Sequence, residues 1–310
     1  MASIEEISSY LPEQRVPIRS IGEEMGLKSA QIKVFERFFG LSHVRREEGG
    51  TLNDLMLRSV AGLTRLQGAE DRVRYIVQAR TMHTVAPYPV NPVHEVRDAL
   101  GLTRAEAFTV SQHACASGLL AVDLCGRLLE AEQDPSALAL VLTGERTFTR
   151  AARMLARTTF NGEGAAAVLV GARGPRDRVV SYVPRVHGRF SAASALTKEL
   201  FDEFQAVYVE LLVDVVREAV ERAGLEMDDI SLVLPHNINR ISWVRACRIL
   251  EYSIEKVYLD NVPELGHSFC ADPFINYDSA KRSGKLPESG YILMASVGMG
   301  ATFSAMVISR

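Results

Sequence analysis

Phe108-Thr109-Val110-Ser111-Gln112-His113-Ala114-Cys115-Ala116-Ser117-Gly118-Leu119-Leu120 is the stretch on which the reading of this chain turns. A β-favouring run ends at Val110, small and polar residues follow, and an apolar helical pattern runs from Gly118 to Glu130. A strand therefore gives way to a helix across one tight loop. That order places Cys115 at or near a helix amino terminus, where free backbone N–H groups and the helix dipole favour the thiolate. A thiolate attacks thioesters, and the adjacent N–H groups can hold the resulting oxyanion. The same residues equally fit a small buried cysteine in a tight strand-to-helix turn.

Outward from this loop, short β-branched runs alternate with amphipathic helices. Before it, Tyr75-Ile76-Val77 reads as a strand and Val93 to Leu100 as a helix; after it come strands at Leu138 to Thr143 and Ala165 to Val170. Gly171 to Arg178, rich in glycine, proline and charge, is a connector that divides the chain into residues 1–172 and 173–310. In the second half Val207, Leu211, Val215 and Ala219 form a helical stripe, widened by Leu212 and Val216 and closed by Gly224. Strands at Leu232 to Leu234, Val257 to Leu259, Tyr291 to Ala295 and Ala305 to Ile308 follow, with a helix from Ile241 to Leu250. This alternation predicts a mostly parallel α/β sheet in each half.

Bulk properties narrow the function. The 310 residues are 47% hydrophobic and 24% charged, as in a globular enzyme and unlike a disordered chain. A net charge of -3 gives no general attraction to nucleic acid or to an anionic membrane. No apolar run approaches the roughly 20 residues that span a bilayer. The amino terminus carries acidic residues where a secretory signal has a basic and then an apolar region, so a cytoplasmic protein is expected. Four cysteines make no disulfide framework. Cys125 and Cys247 sit in apolar helical patterns and read as small buried hydrophobes, whereas Cys115 and Cys270 sit in loops.

Three further clusters carry candidate chemistry. Leu234-Pro235-His236-Asn237-Ile238-Asn239-Arg240 follows a buried strand and opens a helix, at the carboxyl end of the sheet where α/β sites lie. His236 can donate to a carbonyl or take a proton there, while the asparagines also suit helix caps. Leu265-Gly266-His267-Ser268-Phe269-Cys270-Ala271-Asp272-Pro273 is a loop entering a helix at Pro273. His267 offers a second proton or oxyanion group, and Asp272 reads as a helix cap. Ser296-Val297-Gly298-Met299-Gly300-Ala301 is a glycine turn after a strand, able to bring backbone N–H groups against a ligand. Cys115, His236, His267 and Cys270 are also zinc-type ligands, but no Cys-x-x-Cys pair accompanies them, and no metal is expected.

In this order the clusters resemble the β-ketoacyl-ACP synthase III family of the thiolase-fold superfamily. Ser8 to Glu13 resembles its opening strand and loop, Gly40 to Arg46 its glycine-isoleucine-x-x-arginine region, and Asn161 to Ala165 its glycine-aspartate-glycine-alanine turn. The resemblance implies two similar α/β halves in a five-layer αβαβα arrangement, the first carrying the nucleophile and the second the histidines. It implies Cys115 as the acylated nucleophile, His236 and His267 as its catalytic partners, and the backbone N–H groups of Cys115 and Met299 as the oxyanion hole. The implied activity is an acyl transfer through a Cys115 thioester, with decarboxylative Claisen condensation onto a malonyl-type thioester as the leading reaction. The family usually has asparagine where this chain has His267, so a non-decarboxylating transfer to an alcohol or amine is the alternative. A non-catalytic partner subunit of a biosynthetic complex is the alternative from another class.

The resemblance also implies acyl-CoA or acyl carrier protein thioesters as substrates, with no bound cofactor. Asn239 and Phe38 fall at substrate contacts. Typical members have tryptophan and arginine contacts to coenzyme A where this chain has Val34 to Phe39, which weakens delivery by coenzyme A. Arg240, Arg245 and Arg248 can meet an acidic carrier protein, and also fit a solvated basic helix face. Tyr88 falls where members project an aromatic residue into the partner subunit's pocket, implying a homodimer. The departures at Phe38 and His267 point to specialised metabolism, outside housekeeping fatty-acid synthesis.

Overall fold

A computed structural model describes residues 2–155, 157–192 and 195–310. In chain order its first half comprises β1 (Ser3–Tyr10), β2 (Gln14–Pro17), α1 (Ile18–Glu24), α2 (Ser29–Arg37), β3 (His43–Arg46), α3 (Leu52–Val60), β4 (Val73–Ala79), α4 (Pro92–Ala99), β5 (Glu106–Val110), α5 (Ser117–Ala131), β6 (Leu138–Glu145), α6 (Arg150–Arg153), β7 (Met154–Leu155), β8 (Thr159–Phe160) and β9 (Gly164–Gly171). The second comprises β10 (Arg178–Val186), α7 (Lys198–Arg222), β11 (Ile230–Leu234), α8 (Arg240–Leu250), α9 (Val262–Leu265), α10 (Asp272–Arg282), β12 (Tyr291–Gly298) and β13 (Thr302–Ser309).

The main strands run in the order β11-β12-β13-β10-β1-β9-β6-β4-β5, and β1 meets β10 only where Ser3 faces Arg178. Alternation of side chains along each strand then builds the layers. Ile76, Leu140 and Leu169 face Leu55, Met56 and Val96 of α3 and α4. Their neighbours Val77, Val141 and Val168 face the other way, onto Leu119 and Val122 of α5 and Phe274 and Ile275 of α10. The same central helices receive Leu232, Leu234, Met294 and Met306 from the second half. Val233, Leu293 and Val307 turn outward onto Leu212, Val216 and Trp243 of α7 and α8. The result is a thiolase-like stack of helix, sheet, helix, sheet, helix.

The expectation of mostly parallel sheets is corrected. Only β4 with β5, β4 with β6 and β11 with β12 pair in parallel. β6 with β9, β1 with β9, β10 with β13 and β12 with β13 are antiparallel. The reason is connection length: β12 reaches β13 through Met299 to Ala301, too short for a parallel crossover. Val257 to Leu259 is not a strand either; Val257 makes a single bridge to Val233. Among the described residues, no helix is long and apolar enough to cross a membrane.

The carboxyl ends of β4, β5, β6, β11 and β12 therefore gather at one end of the stack. Close packing fixes them there. A Cβ on Gly298, the last residue of β12, would lie 1.9 Å from the His113 carbonyl oxygen beside Cys115. Gly298→Ala is expected to lower unfolding free energy by about 1–3 kcal/mol, read as an earlier urea midpoint. An unchanged midpoint would show that this turn has room to spare.

Candidate active site

Cys115 sits in a single 3-10 turn, Ala114–Ala116, that runs directly into α5. The turn forces Ala114 into the left-handed region at φ 47°, a conformation costly for a residue with a Cβ unless its surroundings impose it. They do: Ala114 N–H donates to the Ser111 carbonyl at 3.0 Å, and Ser296 Oγ donates to the Cys115 carbonyl at 2.9 Å. Cys115 is 4% exposed and lines a cavity of about 470 Å³. Met154, Phe201, Phe204, Tyr208 and Met299 line that cavity with it, so its wall is largely apolar. A larger cleft of about 560 Å³ lies beside Pro87 and Phe148 and does not contain Cys115.

The histidine beside the sulfur is His267. Its Nε2 is 3.1 Å from Cys115 Sγ, and its Nδ1 is 2.5 Å from Asp272 Oδ2, with all three groups buried. Local backbone pairing sets this ring. His267 N–H donates to the Phe160 carbonyl at 3.0 Å, and Gly162 N–H donates to the His267 carbonyl at 2.9 Å. Gly266 at φ 62° permits the close approach, because a Cβ there would meet the Phe160 oxygen at 2.5 Å. The turn Asn161 to Ala165 thus helps to hold His267 in place.

Asp272 is more than the helix cap expected from its position. Its Oδ2 accepts from Asn237 N–H at 2.6 Å as well as facing His267, and its Oδ1 accepts from Ser268 N–H at 2.7 Å. Burial opposes a charge on His267, but Asp272 and Cys115, through charge and hydrogen bonds, outweigh it and push the imidazole up to about 10. Sulfur, imidazole and carboxylate form a nucleophile, a base and an orienting group in line. Asp272 escaped the sequence reading. The signal was there as His267-x-x-x-x-Asp272 across the loop into α10.

His236, expected as the first partner of Cys115, is wholly buried just past the end of β11. Its Nε2 faces the Tyr208 hydroxyl at 2.6 Å, so that nitrogen is occupied. Burial, and then the charge on His267, push His236 down to about 3 against the Ala295 carbonyl, leaving it neutral. Among the described residues, no group of three or more His, Cys, Asp or Glu side chains is disposed to hold a metal.

The remaining candidates separate clearly. Asn239, expected to bind substrate, spends its Oδ1 capping α8, accepting from Ser242 N–H at 2.9 Å and Ser242 Oγ at 3.0 Å. Its Nδ2 donates to the Thr158 carbonyl at 3.3 Å. Met299, expected to lend its N–H to an oxyanion, lines the cavity from the β12–β13 turn. Phe38 is 64% exposed at the end of α2, and Arg240 N–H donates to the Phe39 carbonyl at 2.9 Å, bringing it beside the start of α8. Arg240, Arg245 and Arg248 are all exposed. Tyr88 is 98% exposed in the loop before α4. Cys125 and Cys247 are buried thiols in α5 and α8, pushed up to about 12 and about 11 by burial, so their inert role holds.

With this geometry established, similarity to known proteins adds a frame. Residues 220–310 match the family described as "3-Oxoacyl-[acyl-carrier-protein (ACP)] synthase III C terminal". A "Beta-ketoacyl-[acyl-carrier-protein] synthase III" of Rhizorhabdus wittichii is 29% identical over 229 residues, covering 69% of this chain and 70% of that one. Two solved structures share the fold along the full length. The 3-oxoacyl-[acyl-carrier-protein] synthase III from Aquifex aeolicus VF5 gives a TM-score of 0.85 at 21% identity, over 100% of both chains. ChlB3, described as an acyltransferase, gives 0.85 at 19% identity, over 99% of this chain and 97% of that one.

Proposed function

We propose that this chain, similar to β-ketoacyl-ACP synthase III in family match and fold, is an acyl-transferring enzyme that passes an acyl group from a thioester through Cys115 to a hydroxyl or amine. The observation that carries the reading is the Cys115–His267–Asp272 chain, at 3.1 Å and 2.5 Å. In the first step the Cys115 sulfur, its proton held on His267 Nε2, attacks the donor carbonyl. The donor C–S bond then breaks, and His267 returns the proton to the departing thiol. In the second step His267 Nε2 takes the acceptor's O–H or N–H proton as that atom attacks. The Cys115–acyl bond breaks, and the proton stays on His267 Nε2 beside the freed sulfur. Asp272 holds Nδ1–H throughout, so the proton that His267 gains and gives up travels through Nε2. The backbone N–H groups of Cys115 and Met299 serve the tetrahedral oxyanion.

Decarboxylative condensation is the second reading, favoured by the name of the 29% identical relative. It needs two N–H donors aimed at the enolate oxygen that forms as carbon dioxide leaves. Here His236 Nε2 is occupied by Tyr208, and His267 Nε2 faces the Cys115 sulfur. Both features favour transfer to a heteroatom.

An acyl carrier protein is the proposed donor's handle, approaching the exposed Phe38, Arg240, Arg245 and Arg248, with acyl-CoA as the smaller alternative. The exposed Tyr88 suits a homodimer, in which it would reach the second copy's cavity. A cytoplasmic setting in specialised metabolism fits this reading.

The test supplies acyl-carrier and acyl-CoA thioesters with a panel of alcohols and amines, and malonyl thioesters separately. Acylated acceptor without carbon dioxide release is the expected product. Malonyl decarboxylation matching or exceeding acyl turnover would overturn the reading in favour of condensation.

A further inference from the structure

Thr81 and Glu145 are the polar groups nearest the nucleophile that the proposed mechanism leaves unused. Thr81 follows β4, and its Oγ1 donates to Cys115 Sγ at 3.2 Å. Glu145 ends the neighbouring strand β6 and is wholly buried. One of its oxygens accepts Thr81 N–H at 2.6 Å and the other accepts Met82 N–H at 2.8 Å. A buried carboxyl spanning two successive N–H groups fixes the direction in which the Thr81 side chain leaves the backbone.

The neighbouring thiol does not compete for the Thr81 proton. Cys270 Sγ lies 3.6 Å from Thr81 Oγ1, but its own S–H donates to the Ala114 carbonyl at 3.2 Å. Burial, and then Glu145 and Cys115, hold the Cys270 thiol well up in the protonated form. The Thr81 hydroxyl is therefore directed at Cys115, joining His267 as a contact to the sulfur.

We propose that Thr81 is a second hydrogen-bond donor to the Cys115 thiolate, and that Glu145 is the positioning residue that aims it. The inference rests on Cys115 being the acyl-carrying thiolate of the proposed function. Burial pushes Glu145 up to about 7, while its hydrogen bonds from Thr81 and Met82 and the charge on His267 pull the other way. The other titratable groups around the sulfur are His267 with Asp272, Cys270, Tyr208 and, behind Tyr208, His236. Thr81→Val leaves all of them chemically unchanged while removing only the O–H.

The experiment alkylates the reduced protein with iodoacetamide at neutral pH, without any acyl donor, and follows Cys115 by peptide mass. Thr81→Val is expected to react about tenfold more slowly, the size of one charged hydrogen bond, with a matching loss of thiolate absorbance. Thr81→Ser restores the hydroxyl and returns both readouts to within about twofold of wild type. Glu145→Gln sets an amide N–H against one of the two backbone N–H groups, and slows alkylation by about threefold. Thr81→Ala carries the expectation of Thr81→Val should valine disturb folding. Wild-type rates in Thr81→Val or Thr81→Ala would overturn the donor role, and a wild-type rate in Glu145→Gln would overturn the aiming role. Because no acyl group is present, these results stand apart from those that test acyl transfer.

Discussion

Asp272→Asn lowers acyl turnover by about 10³- to 10⁴-fold, with the fold and the cavity intact. The expected size is that of removing the orienting carboxylate from an analogous nucleophile–base–acid set. An asparagine presents either an oxygen or an amide to His267 Nδ1. With its one oxygen kept on Ser268 N–H, its amide takes the place of Oδ2, facing His267 Nδ1 and giving up the bond from Asn237 N–H. The ring then protonates Nε2, and that nitrogen no longer accepts a proton from Cys115 or from an acceptor hydroxyl. The loss therefore lies in the rate of both chemical steps. Single-turnover acylation of Cys115, followed by intact mass, separates the first step from the second. A thermal midpoint within a few degrees of wild type shows that the effect is chemical. Turnover within about tenfold of wild type would remove Asp272 from the mechanism and return the choice between transfer and condensation to other residues.

The features legible in the sequence are those whose physics is local. The run from Phe108 to Leu120 states a strand, a turn and a helix within thirteen residues, and Cys115 falls in the turn. The stripe of Val207, Leu211 and Val215 likewise states α7 by itself. Strand direction is not local. β10, Arg178–Val186, was absent from the sequence reading because its half-buried alternation begins inside a glycine- and charge-rich connector. It lies between β13 and β1, where each half of the sheet meets the other.

The polar contacts of the site follow the same division. His267 and Asp272 are five residues apart, yet they meet only because Phe269, at φ 55°, and the 3-10 turn Phe269–Ala271 fold the loop back on itself. A helix-cap reading of Asp272 follows from its place in the sequence, and that backbone reversal is what changes it. Thr81 and Tyr208 meet partners 34 and 28 residues away, and Thr81 meets Glu145 across 64 residues. Such pairs arise from strand order, which no spacing rule supplies. The contacts of the two histidines have this origin: His236 Nε2 faces Tyr208 on α7, and His267 Nε2 faces the Cys115 sulfur.

Cys115→Ala is expected to abolish the acyl adduct and lower turnover by about 10⁶-fold, the scale on which an enzyme of this kind loses its nucleophile. The substitution leaves the turn Ala114–Ala116 and its bond from Ser296 unaltered, since that bond goes to the backbone carbonyl. Cys270 is the thiol placed to substitute, its sulfur 3.6 Å from the Thr81 hydroxyl that donates to Cys115. It lacks the requirements of a nucleophile. Its proton is committed to the Ala114 carbonyl, no hydrogen bond joins it to a histidine among those of the described residues, and burial keeps it a thiol. Intact mass after incubation with acyl thioesters reads the result directly: one acyl group on the wild type, none on Cys115→Ala. An adduct lying on Cys270 in the variant would move the nucleophile across the Thr81 hydroxyl. Undiminished turnover with no adduct on either protein would mean that the thiol carries nothing, and that His267 and Asp272 activate the acceptor for direct attack on the bound donor.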